Sequence, residues 1–292
     1  MSAIGYHISL SQFNRTTRLE DCCNYIINNN LSAFQIFSKN SRSKTSKITF
    51  DVEDVLNAKK IIKQNNLIAI IHTPYAIHLA HEDISDGIYD SVLEDMEFAY
   101  SNKFYTCVLH MSKQLGLDIG EATENMRKNL ENIVRHFIKN NTRVSDRIIS
   151  LEIMSGNGTG ILSDIEELGS FYRSLRESVR VHVKFCLDSA HLWANGYDLS
   201  TKDSVKRFLK LWNNEIGIEN ISMIHLNGSL ADCDSHRDLH AILGSPEDKI
   251  TTTNNEGMNY FIKFLNKYEI PIIFEVEENM RQVKYVKKIL NR

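Results

Sequence analysis

The chain has no Cys-x-x-Cys pair, no long apolar run, no excess of basic charge and no low-complexity tract. Its five cysteines, Cys22, Cys23, Cys107, Cys186 and Cys233, form no even framework, and a chain of this length needs no disulfide staples. That usage points to a reducing compartment. The opening "MSAIGYHISLSQF" lacks the basic stretch and apolar stretch of a secretory signal. No apolar run approaches the roughly 20 residues of a membrane span. The expectation is an intracellular protein of cytoplasm or nucleus, with no membrane partner. A formal net charge of -3 does not mark a general nucleic-acid binder, although it leaves room for a local basic patch. No linker divides the 292 residues, so 1–292 are read as one domain.

What is present is a series of short apolar, β-branched runs: "AIGYHISL", "AFQIFS", "LIAIIHTP", "YTCVLHMS", "RIISLEIM", "VKFCLDSAH", "ISMIHLNG" and "PIIFEVEE". Runs of this length bounded by polar stretches read as buried parallel strands. Between them lie segments of helical period, such as "VEDVLNAKKIIKQ" and "NMRKNLENIVRHFIK". Ser163 to Glu166, "SDIE", has the form of a capping box opened by Ser163. Eight strands alternating with helices at this length predict an α/β fold, the (β/α)8 TIM barrel. The rival, a doubly wound open sheet, would carry a Gly-rich fingerprint after its first strand, and none is there.

The polar residues of these runs collect at their C-terminal ends. His72, His110, Glu152, Asp188, His225 and Glu275 close the third to eighth runs. In a closed barrel those ends converge on the face that carries active sites. One such residue is unremarkable, since a hydrogen-bonded histidine or a helix-capping carboxylate explains it. Six in succession would bury three carboxylates together at heavy desolvation cost unless a cation joins them. His191, three residues beyond Asp188, and the Asp238-x-His240 pair raise the candidate set to nine. Nine nitrogen and oxygen ligands exceed one ion's shell, so more than one metal is expected, zinc first and manganese as substitute. In the same polar segment, "HLNGSLADCDSHRDLH", Asp232, Asp234 and His236 read as solvated loop.

These residues resemble endonuclease IV, the zinc-dependent apurinic/apyrimidinic (AP) endonucleases. The resemblance runs from "IGYHIS" to "PIIFEVEEN", with "CLDSAHLWANGYDL" and "HLN" followed by "DLHAILG" as its most specific pieces. It implies three zinc ions: one on His72, His110 and Glu152, a second reached by the Glu152 bridge and completed by Asp188, His225 and Glu275, and a third on His191, Asp238 and His240. It also implies that Arg42, in "SKNSRSKTSK", and Tyr75, in "HTPY", contact DNA, with Lys39, Lys44 and Lys47 adding a basic patch for phosphates. His7 would support the metal shell. The chain departs from the family in four places. "HMS" follows from His110 in place of Pro-Gly, "EIMSGNG" runs on from Glu152 in place of Asn-Thr, and Gly228 stands where an aspartate is expected. The loop "GSPEDKITTTNNEG" is longer than usual.

The implied activity is hydrolysis of the phosphodiester 5′ to an abasic site in double-stranded DNA, leaving a 3′-hydroxyl and a 5′-deoxyribose phosphate. Trimming of blocked 3′ ends could accompany it, with a repair polymerase and ligase acting downstream. Glu152, as the bridge, is the catalytic residue of this scheme. Two alternatives remain. A metal-dependent sugar isomerase or epimerase would use Glu152, Asp188, His225 and Glu275 and leave the other five idle. A non-catalytic binder of damaged DNA would have no need of the full ligand set.

Overall fold

The computed structural model describes residues 1–43, 48–84, 86–252, 254–276 and 280–291. Eight parallel strands close into a barrel: β1 (Ile4–His7), β2 (Ala33–Phe37), β3 (Ile68–His72), β4 (Thr106–His110), β5 (Ile149–Glu152), β6 (Val183–Asp188), β7 (Ile221–His225) and, after a two-stranded hairpin, β10 (Ile272–Phe274). The hairpin, β8 (Gly228–Ser229) with β9 (His240–Ala241), is antiparallel and sits outside the barrel sheet. The eight anticipated strands are those of the barrel.

Helices fill the connections: α1 (Arg18–Asn28), α2 (Val52–Asn65), α3 (Asp86–Ser101), α4 (Ile119–Asn140), α5 (Ile165–Ser174), α6 (Glu177–Arg180), α7 (Ser189–Ala194), α8 (Lys202–Glu215), α9 (Glu256–Lys267) and α10 (Met280–Ile289). On α4, Ala122, Met126, Leu130, Ile133, Val134 and Phe137 recur at three- and four-residue spacing and are buried, the stripe a covering helix needs. The cap of α5 is Asp164, whose carboxylate accepts from Glu166 N and Glu167 N. The anticipated Ser163 lies one residue upstream of it. No helix among the described residues is long and apolar enough to cross a membrane.

The strand period of two places the site. Ile70, Val108, Cys186, Met223 and Ile273 form a small buried cluster with Ala33. His72, His110, Asp188, His225 and Glu275 each lie two residues further along the same chain segments, and Gln35 lies two beyond Ala33. Alternate residues of a strand share a face, so an apolar layer inside the barrel is followed by a polar one at its C-terminal mouth. Gly5 lets the wall close: a Cβ there would meet the Ala33 carbonyl oxygen at 1.6 Å, so β1 packs against β2 only without one.

Candidate metal centre

Glu152, buried at the end of β5, is the hub. Its Oε2 lies 3.0 Å from both His72 Nε2 and His110 Nε2, and its Oε1 lies 3.1 Å from His225 Nδ1. The two carboxylate oxygens thus face different partners. Ligand atoms of His72, His110 and Glu152 all lie within 4.8 Å of one another, and so do those of Glu152, Asp188, His225 and Glu275. A third group joins Asp188, His191 and His240 by the same measure. Asp238 completes it, its Oδ1 standing 3.3 Å from His191 Nε2 and 3.0 Å from His240 Nε2. All nine residues singled out by sequence therefore meet at one mouth of the barrel.

The surroundings decide which nitrogen each ring presents. His72 Nδ1 donates to the Thr73 carbonyl at 2.7 Å, and His191 Nδ1 to the Ile153 carbonyl at 2.7 Å. Each Nε2 is left facing a carboxylate. Asp188 divides its labour: Oδ1 accepts from Ala190 N and His191 N at the start of α7, while Oδ2 accepts from Asn227 Nδ2 at 2.7 Å. Backbone carbonyls that hold the second imidazole nitrogen are the usual companions of metal-bound histidine.

Electrostatics points the same way. Burial lowers the His72 imidazole below its ordinary value, outweighing Glu152 beside it. A neutral His72 that donates through Nδ1 turns a lone pair toward Glu152 Oε2, 3.0 Å away, an approach that is tolerated only with something cationic between them. Burial alone would raise the Glu152 carboxyl, but the charges of His110 and His225 and their hydrogen bonds hold it well below the usual carboxylate range. His240 Nε2 is buried with no aligned hydrogen bond although Asp238 Oδ1 is 3.0 Å away. Two atoms bound at about 2.0–2.1 Å in a tetrahedral shell stand about 3.3–3.4 Å apart, close to these separations. The donor set fits divalent cations.

Several positions sharpen or correct the sequence reading. Arg42 is exposed, and the Ser41 carbonyl beside it accepts a hydrogen bond from Tyr75 N at 2.9 Å, so the two loops meet. Tyr75 is 45% exposed, with its ring 5.1 Å from that of His110 and 5.2 Å from that of Phe37. It lies over the site and is not core. Lys39 does not belong to an exposed basic patch. It is 3% exposed, paired with Asp95 and donating to Ser91 O at 2.9 Å, because α3 packs over the end of β2. A lysine so engaged has no free ammonium for a phosphate. Lys44 and Lys47 lie outside the described residues. His7 Nδ1 accepts from Gln35 Nε2 at 2.8 Å and lies 3.8 Å from Glu275 Oε1, outside the nine. Asp232 pairs with Lys249 at 2.6 Å, and Asp234 and His236 are exposed, as anticipated for solvated loop.

Four residues escaped the sequence reading. Gln35 Oε1 accepts from His225 Nε2 at 2.9 Å, and Gln35 Nε2 also donates to Glu275 Oε1 at 3.2 Å. Its signal was a lone amide in the apolar run "AFQIFS". Asn227 Nδ2 donates to Asp188 and, at 3.2 Å, to Glu275. Cys186 Sγ shares a 4.8 Å span with Glu152 and His225, although burial pushes its thiol up to about 12. Asp248 explains Gly228: a Cβ at 228 would meet the Asp248 carboxyl carbon at 2.6 Å. The aspartate expected after "HLN" is absent, and the loop that follows His240 supplies a carboxylate from the other side.

Residues 26–291 match the family described as Xylose isomerase-like TIM barrel. A protein of Acanthamoeba polyphaga mimivirus that carries the name endonuclease 4 is 30% identical over 280 residues, covering 93% of this chain and 84% of its own length. Another endonuclease 4 by name, from Nitrosopumilus maritimus (strain SCM1), is 28% identical across 96% of this chain and 98% of its own length. The crystal structure of endonuclease IV from Thermus thermophilus shares the fold at a TM-score of 0.80, with 21% identity over 99% of both chains. The chain belongs to the xylose isomerase-like TIM barrels and, among them, to the endonuclease IV family.

Proposed function

We propose that this chain is a metal-dependent endonuclease that hydrolyses the phosphodiester 5′ to abasic sites in double-stranded DNA, leaving a 3′-hydroxyl and a 5′-deoxyribose phosphate, with 3′-end trimming as an accompanying activity. The observation that carries it is the bridging disposition of Glu152, one oxygen toward His72 and His110 and the other toward His225. A single-ion site has no use for it. We assign His72, His110 and Glu152 to one zinc, Glu152, Asp188, His225 and Glu275 to a second, and His191, Asp238 and His240 to a third, with manganese as substitute. Bound there, such ions supply Lewis-acid charge and an activated water for phosphoryl transfer.

The chain's own residues then hold the substrate. Beside the cluster lies a cavity of about 250 Å³ bordered by Tyr75, His110, Glu152, Asp238 and His240, and Tyr75 and Glu275 also border a neighbouring one of about 560 Å³. Tyr75 thus stands at a partition, where its ring can take the place of the missing base. An abasic nucleotide has no base to unstack, so displacing it costs less than the few kcal/mol an intact one requires. Arg42, exposed on the adjoining loop, reaches the backbone. The test combines metal analysis of purified protein with incision of a duplex carrying one abasic analogue. Close to three zinc ions and a single incision 5′ to the analogue are expected. One ion per chain with no incision would overturn the reading.

A second reading has one observation in its favour. Glu152, Asp188, His225 and Glu275 lie within 4.8 Å of one another, the set a sugar isomerase on this fold would use. It leaves His72, His110, His191, Asp238 and His240 without work, and saturation by a single ion with ketose turnover is what it requires.

A further inference from the structure

The loop after β4, where "MSK" follows His110, carries a lysine whose surroundings single it out. Residues 112–114 pair antiparallel with 159–161: Ile161 N donates to Ser112 O at 3.0 Å, Gln114 N to Thr159 O at 2.8 Å, and Lys113 bridges Gly160 between them. The fully buried Ser112 Oγ accepts from Leu79 N at 2.7 Å, which ties in the loop after β3 that holds Tyr75. Three loops meet at this point, so the backbone of Lys113 is fixed relative to the cluster. Lys113, exposed to solvent, borders the 250 Å³ cavity together with His110, Glu152, His191, Asp238 and His240.

Among the described residues bordering that cavity, Lys113 is the one lysine or arginine. No carboxylate among the described residues pairs with it, whereas Lys39 is held by Asp95, Lys249 by Asp232 and Arg127 by Glu124. A phosphodiester brings one negative charge into a space walled by Glu152, Asp238 and Glu275. Cations bound to those carboxylates are already partly offset by them. An unpaired ammonium carried on this anchored backbone adds charge that is not, and its three N–H donors suit phosphate oxygens.

We infer that Lys113 is a substrate-binding cation of this site, holding a non-bridging oxygen of a phosphate in the strand being cleaved. The inference rests on the nuclease reading above and adds the side chain that receives the phosphate. The test compares wild type, Lys113→Met and Lys113→Arg on a duplex with one abasic analogue, following zinc content, melting temperature, kcat, KM and the salt dependence of binding. Lys113→Met should keep its zinc and melting temperature, raise KM about tenfold, and reduce the slope of log affinity against log salt by about one. Lys113→Arg should restore most of both. Replacing the contacted phosphate by a neutral methylphosphonate should weaken wild type and add nothing to Lys113→Met. A Lys113→Met protein with wild-type affinity and salt slope overturns the inference alone. Loss of zinc or of melting temperature in that variant also overturns it, assigning Lys113 to structure. A wild type that neither binds nor incises the abasic duplex overturns this inference and the nuclease reading together.

Discussion

Gln35 Oε1 lies 2.9 Å from His225 Nε2 across the barrel mouth, and this contact decides which ring nitrogen of His225 faces Glu152 and Glu275. With Nε2 committed as donor, Nδ1 is the nitrogen turned toward the carboxylates and left for a metal once its proton is gone. Gln35→Met removes the acceptor at similar size, and metal affinity should fall by about 10–100-fold, the usual cost of losing such a partner. Gln35→Glu keeps an acceptor and should lose less. Competition with a coloured chelator measures both, and an unchanged Met variant would remove Gln35 from the support of the site.

Lys39 and Asp95 are a buried pair, not a phosphate contact. Lys39→Met leaves the Asp95 carboxylate without its counter-charge, which should cost about 3–5 kcal/mol. Burial already raises Asp95 even with Lys39 beside it. The unpaired carboxylate therefore costs stability where the unfolded chain is ionised, and the cost fades as pH drops toward the unfolded carboxylate value near 4. Chemical denaturation at pH 7 and pH 4 should show the larger loss at pH 7. A variant of normal stability whose DNA affinity has become less salt-sensitive would favour a phosphate role instead.

Asp248 ties the hairpin that bears Asp238 and His240. Its carboxylate accepts from Ser229 N at 3.0 Å, Gly244 N at 3.0 Å, Ile250 N at 3.1 Å and Thr251 Oγ1 at 2.6 Å. Asp248→Ala strands three backbone donors, at about 1–3 kcal/mol for each that water does not reach. Both the melting temperature and the occupancy of the site served by Asp238 and His240 should fall. Full metal content in Asp248→Ala would separate the hairpin's anchoring from metal binding.

Metal and protons compete for the same nitrogens. In the metal-free protein, burial would lower His240, but Asp188 and Asp238 outweigh it and raise the ring to about 9. His191 and His225 are raised as well, against burial, by Asp188 and Asp238 in the first case and by the Glu275 and Glu152 carboxylates in the second. A raised histidine contributes stability that is complete below its unfolded value of about 6.5 and is lost as pH rises through the folded one. The chelated protein should therefore melt at lower temperature at pH 9 than at pH 6. With zinc present the trend should weaken or reverse, because deprotonated rings bind metal. Restoring zinc at 100 times its dissociation constant adds about 2.7 kcal/mol. Calorimetry across that pH range, with and without chelator, checks both signs.

Six of the nine clustered residues were legible in the sequence because parallel barrel strands are buried on both faces, and His191, Asp238 and His240 by their spacing beyond the strands. Against runs such as "LIAII" and "ISMI" an imidazole or carboxylate at the C-terminal end stands out, and strand period and barrel closure then leave those ends one place to converge. What stayed hidden depends on partners distant in the chain. Gln35 meets His225 across 190 positions and Lys39 meets Asp95 across 56, so one polar residue became an orienting acceptor and one basic residue a buried counter-ion. Gly228 looked like a lost aspartate until packing brought Asp248 against it. Local pattern set which residues reach the barrel mouth; only the packing of remote segments decided what each of them touches, because a side chain's charge and hydrogen bonds are fixed by its neighbours in space.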